Sequence, residues 1–138
     1  MVPTEADIAY FAGIFDGEGC VSIQSGRQRD GTEILRMRLL VSNTCLPLLS
    51  FIQERFGGYI DWVDKRSRRP CYHLRFDGSL AGTVLEVLLP YLIVKREVGR
   101  VALEFRSLVG KTGTDERRAA LRAKVMQLNS GAGGNKRG

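Results

Sequence analysis

The sequence predicts an α+β fold built on an antiparallel sheet. Two stretches, 20–25 and 34–43, alternate apolar and polar residues around a polar, glycine-bounded turn at Arg27–Gly31. A second such pair, 59–63 and 71–76, flanks the basic turn "DKRSRRP". Segments with helical spacing precede, separate and follow the two pairs, and no internal repeat is present. The order is helix, strand pair, helix, strand pair, then helices.

Each element has a local reason. Thr4, with Asp7 three residues on, resembles a capping box and starts a helix over about 5–16. Ile8, Tyr10, Phe11, Ala12, Ile14 and Phe15 go nearly round that helix, which predicts burial on most sides. In the first strand Val21 and Ile23 oppose Ser22 and Gln24. In the second, Leu35, Met37, Leu39 and Val41 oppose Arg36, Arg38 and Ser42, and Leu40 breaks the polar row. Thr44 is the expected cap of a helix carrying Leu48, Leu49, Ile52 and Phe56, ended by Gly57-Gly58. In the last strand Tyr72, Leu74 and Phe76 alternate with His73 and Arg75. A helix over 79–89 stops at Pro90. A longer one carries Val94, Val98, Val101, Ala102, Phe105, Leu108 and Val109 on its apolar stripe, and a charged helix covers about 115–128. The expected organisation is one domain over 1–128 and a flexible basic tail over 129–138.

Composition narrows the function classes. The chain has 138 residues and a net charge of +6, from 21 Lys+Arg against 15 Asp+Glu. That balance favours a polyanion, nucleic acid first and a membrane surface second, against the plainer reading of a solvated basic surface. Cys20, Cys45 and Cys71 show no CxxC spacing and read as reduced thiols of an intracellular protein. The one histidine, His73, has no partner histidine for a metal cluster. No apolar run reaches the roughly 20 residues of a membrane span, and the start lacks a secretory pattern. The expected location is therefore cytoplasm, nucleoid or an organelle matrix.

The segment "YFAGIFDGEG" is the strongest functional signal. A glycine inside a helix costs about 1 kcal/mol relative to alanine, yet Gly13 and Gly17 share one face, with Ala12 beside them. Small residues at that spacing let two backbones come close. Nothing else in the chain copies the segment, so the simplest partner is the same helix of a second copy across a twofold axis. Asp16 and Glu18 stand at the helix C-terminus, where acids are unfavourable by a few tenths to about 1 kcal/mol. A twofold would bring both copies of Glu18 together, and a divalent cation would supply the counter-charge. "DGEG" alone reads equally well as an acidic turn.

"FAGIFDGEG", Phe11 to Gly19, resembles the LAGLIDADG signature of homing endonucleases in register. The "CVSI" strand after it fits as well. "LLPYLIVKREVGRVALEF" resembles that family's proline-tyrosine-leucine segment and its lysine before a helix. The likeness covers about Met1 to Leu108. It implies an αββαββα domain of the single-motif type, forming a saddle-shaped homodimer. The implied interface is the motif helix, at Phe11, Ala12, Gly13, Phe15, Asp16 and Gly17.

By the same resemblance, Glu18 takes the metal-binding role of the motif's second acid, where aspartate is commoner, and the Gly17 carbonyl is a further ligand. Asp16 matches the first acid and is mainly structural. The family's active-site lysine falls on Lys95, which alone would read as a surface lysine at a helix start. Asn43 matches a water-orienting polar position, while the basic residue sometimes found one turn later meets Pro47. The implied cofactor is Mg2+ or Mn2+. The implied reaction is phosphodiester hydrolysis on both strands of a long, near-palindromic DNA target, cut across the minor groove to leave short 3′ overhangs, in the service of intron mobility.

The polar sheet face is the expected source of the DNA contacts, against the plainer reading of a solvated sheet face. Ser22, Gln24, Arg36, Arg38, His73 and Arg75, with Arg27, Gln28 and Arg29 in the first turn, suit the major groove. Lys65, Arg66, Arg68 and Arg69 suit phosphates. Asp61 among them would repel phosphate, so it accepts from cytosine or faces away. A ten-residue strand spans about 33 Å, roughly ten base pairs, so two copies would cover about twenty. Two other readings stand beside the nuclease. One is a non-cleaving relative, an RNA splicing maturase or transcription regulator. The other is a small basic protein whose sheet binds another protein.

Overall fold

Thr4 opens the first helix in the expected way. Its hydroxyl accepts from the Asp7 N–H at 3.1 Å, and the Asp7 carboxylate accepts from the Thr4 N–H at 2.9 Å. This reciprocal box satisfies donors that a helix start leaves without partners. The computed structural model describes residues 2–63 and 70–132. Its elements are α1 (Glu5–Glu18), β1 (Gly19–Arg27), β2 (Glu33–Asn43), α2 (Leu46–Phe56), β3 (Tyr59–Trp62), β4 (Tyr72–Asp77), α3 (Gly78–Leu88), α4 (Arg96–Leu108) and α5 (Asp115–Gln127). A 3-10 turn (Leu89–Tyr91) follows α3, and a π-helical turn (Leu128–Ala132) follows α5. No helix among the described residues is long and apolar enough to cross a membrane.

The strands form one antiparallel sheet in the order β1-β2-β4-β3. Val21, Ile23, Met37, Leu39, Val41, Leu74 and Phe76 are buried on one face, at the alternate positions expected. Helices cover that face: Phe11 and Phe15 of α1, Leu49 and Ile52 of α2, Leu85 of α3, Phe105 of α4 and Val125 of α5 join the same core. Phe11 is a hub, its ring centroid 4.9 Å from that of Phe56, 5.9 Å from Phe76 and 6.1 Å from Phe15. The other sheet face carries the polar rows.

Four details differ from the sequence expectation. Helix α1 runs two residues further and includes Glu18. Thr44 does not cap α2: the cap position is Cys45, whose side chain makes no capping bond, and the Asn43 Oδ1 accepts from the Cys45 N–H at 2.7 Å in the turn before the helix. Val94 lies before α4 and is 74% exposed, because the chain is still turning there. The expected tail is helical through Ala132, and Asn129 Nδ2 donates to the Val21 carbonyl at 2.8 Å. Arg122 Nε does the same to the Ile23 carbonyl at 2.9 Å. Strand β1 is an edge, so these donors occupy carbonyls that would otherwise be open to another strand.

Candidate active site and nucleic-acid face

Helix α1 ends by delivering its two acids to different tasks. The Asp16 carboxylate accepts from the Ile93 N–H at 2.8 Å and from the Lys95 N–H at 3.0 Å. The Asp16 carbonyl accepts from Lys95 Nζ at 3.0 Å. At the other end of the helix, Tyr91 donates its hydroxyl to Glu5 at 2.8 Å. The 91–95 segment is therefore tied to both ends of α1, and Lys95 is held beside the motif. The Cys20 thiol shows the same neighbourhood: burial pushes its pKa up, and the nearby Lys95 charge partly opposes that.

Glu18 is exposed, and its Oε1 accepts from Asn43 Nδ2 at 2.7 Å. The Cys45 N–H can only donate, so the Asn43 oxygen must face it and the amide nitrogen must face Glu18. Strand β2 thus fixes the carboxylate through one oxygen and leaves the other available. Among the described residues no group of three or more His, Cys, Asp or Glu side chains could hold a metal ion.

The glycines of α1 are of two kinds. A side chain at Gly19 would strike the Phe15 ring, so that glycine is required by the subunit's own packing. A Cβ at Gly13 or Gly17 would meet nothing within 4 Å. Those two glycines cost helix stability, and nothing among the described residues needs them. Together with Ala6 and Ala9 they form an exposed strip of small residues along α1.

The open sheet face follows the strand register. Gln24 pairs with Arg36. Ser22 pairs with Arg38, which pairs with Asp77. Cys20, Leu40, Arg75 and Tyr59 share the next rung, and Ser42, His73 and Asp61 the one after. Asp77 receives Arg38 Nε at 2.6 Å and Arg75 Nε at 2.9 Å, while Arg75 Nη1 donates to Asp61 at 2.6 Å. Asp77 is partly buried, which raises its pKa, but the bonds from both arginines outweigh that and hold it below the usual carboxylate range.

No protein-family model matches this sequence, and no curated protein matches it. Solved structures do. The homing endonuclease I-CvuI, in complex with the I-CreI target in 2 mM Mg with the DNA not cleaved, is 28% identical at a TM-score of 0.78, over 97% of this chain and 87% of that chain. I-CvuI with its own target in 2 mM Ca is 27% identical at 0.76, over 96% and 86%. The fold is that of the LAGLIDADG homing endonucleases. The archaeal intron-encoded I-Vdi141I, complexed with DNA, shares the fold at 18% identity and a TM-score of 0.75, over 90% of this chain and 84% of that one. The LAGLIDADG meganuclease I-AabMI shares it at 18% and 0.66, and there 90% of this chain covers 43% of a longer one.

Within that fold, the expected residues divide into several groups. Glu18 and Asn43 are bonded to each other, and Lys95 is tied to the same helix end. Gly17 is exposed in the last turn of α1. Three expected interface residues need correction: Phe11, Ala12 and Phe15 are fully buried in their own subunit and cannot reach a partner. Both carboxylate oxygens of Asp16 are used within the chain. Gly13 and Gly17 lie on the open side, so α1 is not buried on most sides as its composition suggested.

On the sheet, Gln24, Arg27, Gln28, Arg29 and Arg36 are exposed, and Ser22, Arg38, His73 and Arg75 are half-buried. Arg27 braces its own turn by donating to the Gly31 carbonyl at 2.8 Å, and Gln24 donates to Ser22 at 2.8 Å. Asp61 pairs with Arg75 and does not face away. Lys65, Arg66, Arg68 and Arg69 lie outside the described residues. Sequence reasoning missed Asp77, whose role appears only once β2 and β4 are aligned.

Proposed function

We propose that this chain is a site-specific, double-strand DNA endonuclease of the homing type, working as a homodimer. The observation that carries the reading is the pair of facts at α1. An exposed Glu18 is fixed by Asn43, and the helix face beside it keeps glycines that the subunit itself does not use. A second copy packed on that face supplies the missing half of the site. The match of this chain to nearly half of the longer I-AabMI chain supports the same pairing at the level of fold. The DNA-bound I-CvuI structures support DNA as the ligand.

The donor set fits a hard divalent cation. Glu18 from each copy, the Gly17 carbonyl and phosphate oxygens are all oxygen ligands, which suits Mg2+ or Mn2+. Such a cation, when bound, polarises the scissile phosphate and lowers the pKa of its water. The chain's own residues do the rest. Asn43 holds the Glu18 carboxylate at one oxygen, and the other would take the cation. Lys95 spends one N–H on the Asp16 carbonyl and has two left for a phosphate oxygen or the attacking water. One Glu18 per subunit gives one acid for each DNA strand.

The open face of the sheet provides the binding surface. Arg27 and Arg36 on the strands and Arg29 in the turn between them place positive charge on a face that fits the major groove. Incubating the protein with a randomised inverted-repeat duplex library and Mg2+, then sequencing the cut ends, tests the reading. Cut ends centred on one inverted repeat are expected. Duplex binding without any cutting would leave only the regulator reading, and no nucleic-acid binding would remove both.

A further inference from the structure

Four charged side chains on the open sheet face, Arg38, Arg75, Asp61 and Asp77, are bonded in one chain. Their charges cancel, so this part of the face adds nothing to phosphate attraction. An isolated surface ion pair is also worth little to stability. Two acids on a surface that meets DNA repel the backbone. Their presence calls for another reason, and the bonding pattern supplies one.

The two arginines are not held alike. Asp77 takes the Nε of Arg38, and among the described residues that is the one partner of Arg38. Its two terminal nitrogens are left as a fork, on a side chain 34% exposed. Arg75 is held on three sides: Nε on Asp77, Nη1 on Asp61, and the guanidinium 4.9 Å above the Tyr59 ring. It is braced and has little left to offer a base. Guanine is read by two parallel N–H groups on its O6 and N7, and the Arg38 fork has that form.

We propose that Asp77 is a positioning residue for base recognition: shared between Arg38 and Arg75, its carboxylate presents the Arg38 fork to a guanine in each half-site, with Arg75 as the strut. This rests on the reading of the sheet as a DNA-binding face. Preorganisation is the physical basis. A free arginine loses rotamer freedom when it binds, whereas Arg38 has lost it on folding, so geometry discriminates between bases.

The test is a binding selection from randomised inverted-repeat duplexes in Ca2+, on wild type, D77N, R38M and the double variant. D77N keeps the shape but turns one oxygen into a donor facing a guanidinium. Wild type should select guanine at one position of each half-site. R38M should lose that preference by about 5- to 150-fold in relative Kd. D77N should lose preference at the same position with its salt dependence unchanged, since no phosphate contact is removed. R38M/D77N should lose no more than R38M. R75Q removes the strut and leaves Asp77, so it should give a partial loss there even if D77N folds poorly. A D77N profile equal to wild type, or a uniform weakening at all positions, overturns the proposal while leaving DNA binding intact. A wild-type protein that selects no duplex overturns the DNA-binding reading and this inference with it.

Discussion

Asp16→Ala isolates the link between α1 and Lys95. It removes two hydrogen bonds from backbone N–H groups to a carboxylate, at 2.8 and 3.0 Å. Bonds to a charged group contribute about 1.5 kcal/mol each at the lower end, appropriate to a half-exposed site. About 0.5 kcal/mol returns because an acid leaves a helix C-terminus, and about 0.5 more from the better helix propensity of alanine. The net loss is about 2 kcal/mol. With an unfolding entropy near 2.1 cal/mol/K per residue, a chain of this length has about 0.3 kcal/mol/K, so Tm should fall by about 7 °C. Scanning calorimetry at one fixed protomer concentration measures this, because dimerisation makes Tm concentration-dependent. Cleavage should fall by up to about 100-fold, because a displacement of about 1 Å at Lys95 costs that much. DNA affinity should hold. A Tm within about 1 °C of wild type with unchanged cleavage would refute the reasoning.

Gly13→Leu tests the pairing face. The space beside Gly13 is open within one chain, and leucine favours the helix by about 0.8 kcal/mol, so the folded subunit should tolerate it. Sedimentation velocity should show wild type as a dimer and the variant as a monomer; a variant that still dimerises would move the interface elsewhere. Acid behaviour tests the Asp77 network. Bonds from Arg38 and Arg75 put its folded-state pKa below the unfolded value of 3.8. Its contribution is therefore complete above about pH 4 and disappears as pH falls through the lower, folded-state pKa. In urea titrations the stability gap between wild type and D77N should be level from pH 5 to 7 and shrink in stronger acid. A gap that holds constant in acid would contradict the assignment.

The strands and their faces were legible because each has one covered side, which forces apolar residues to alternate with polar ones. The motif helix was harder. Phe11 and Phe15 are as apolar as an interface residue, and periodicity cannot say whether a helix face meets its own core or a second copy. Packing settles it: their rings fill the space between α1, α2 and the sheet. The grouping of Asn43 and Lys95 with the end of α1 was reached through the resemblance, not through residue chemistry, since both lie far from Glu18 in sequence. Asp77 was invisible because it acts across the β2–β4 register on a partner 39 residues away. Asn129 sat in a glycine-rich run that reads as a tail, and only the edge position of β1 gives its amide a partner.

The central claim is that paired Glu18 side chains carry the hydrolysis. A supercoiled plasmid bearing one selected target, with Mg2+ and enough protein to saturate the site, tests it with Glu18→Gln beside wild type. The account predicts that the variant protects the same stretch of DNA but linearises the plasmid at least about 100-fold more slowly, since it exchanges a charged metal ligand for a neutral one. Linearisation by the variant at the wild-type rate would contradict it.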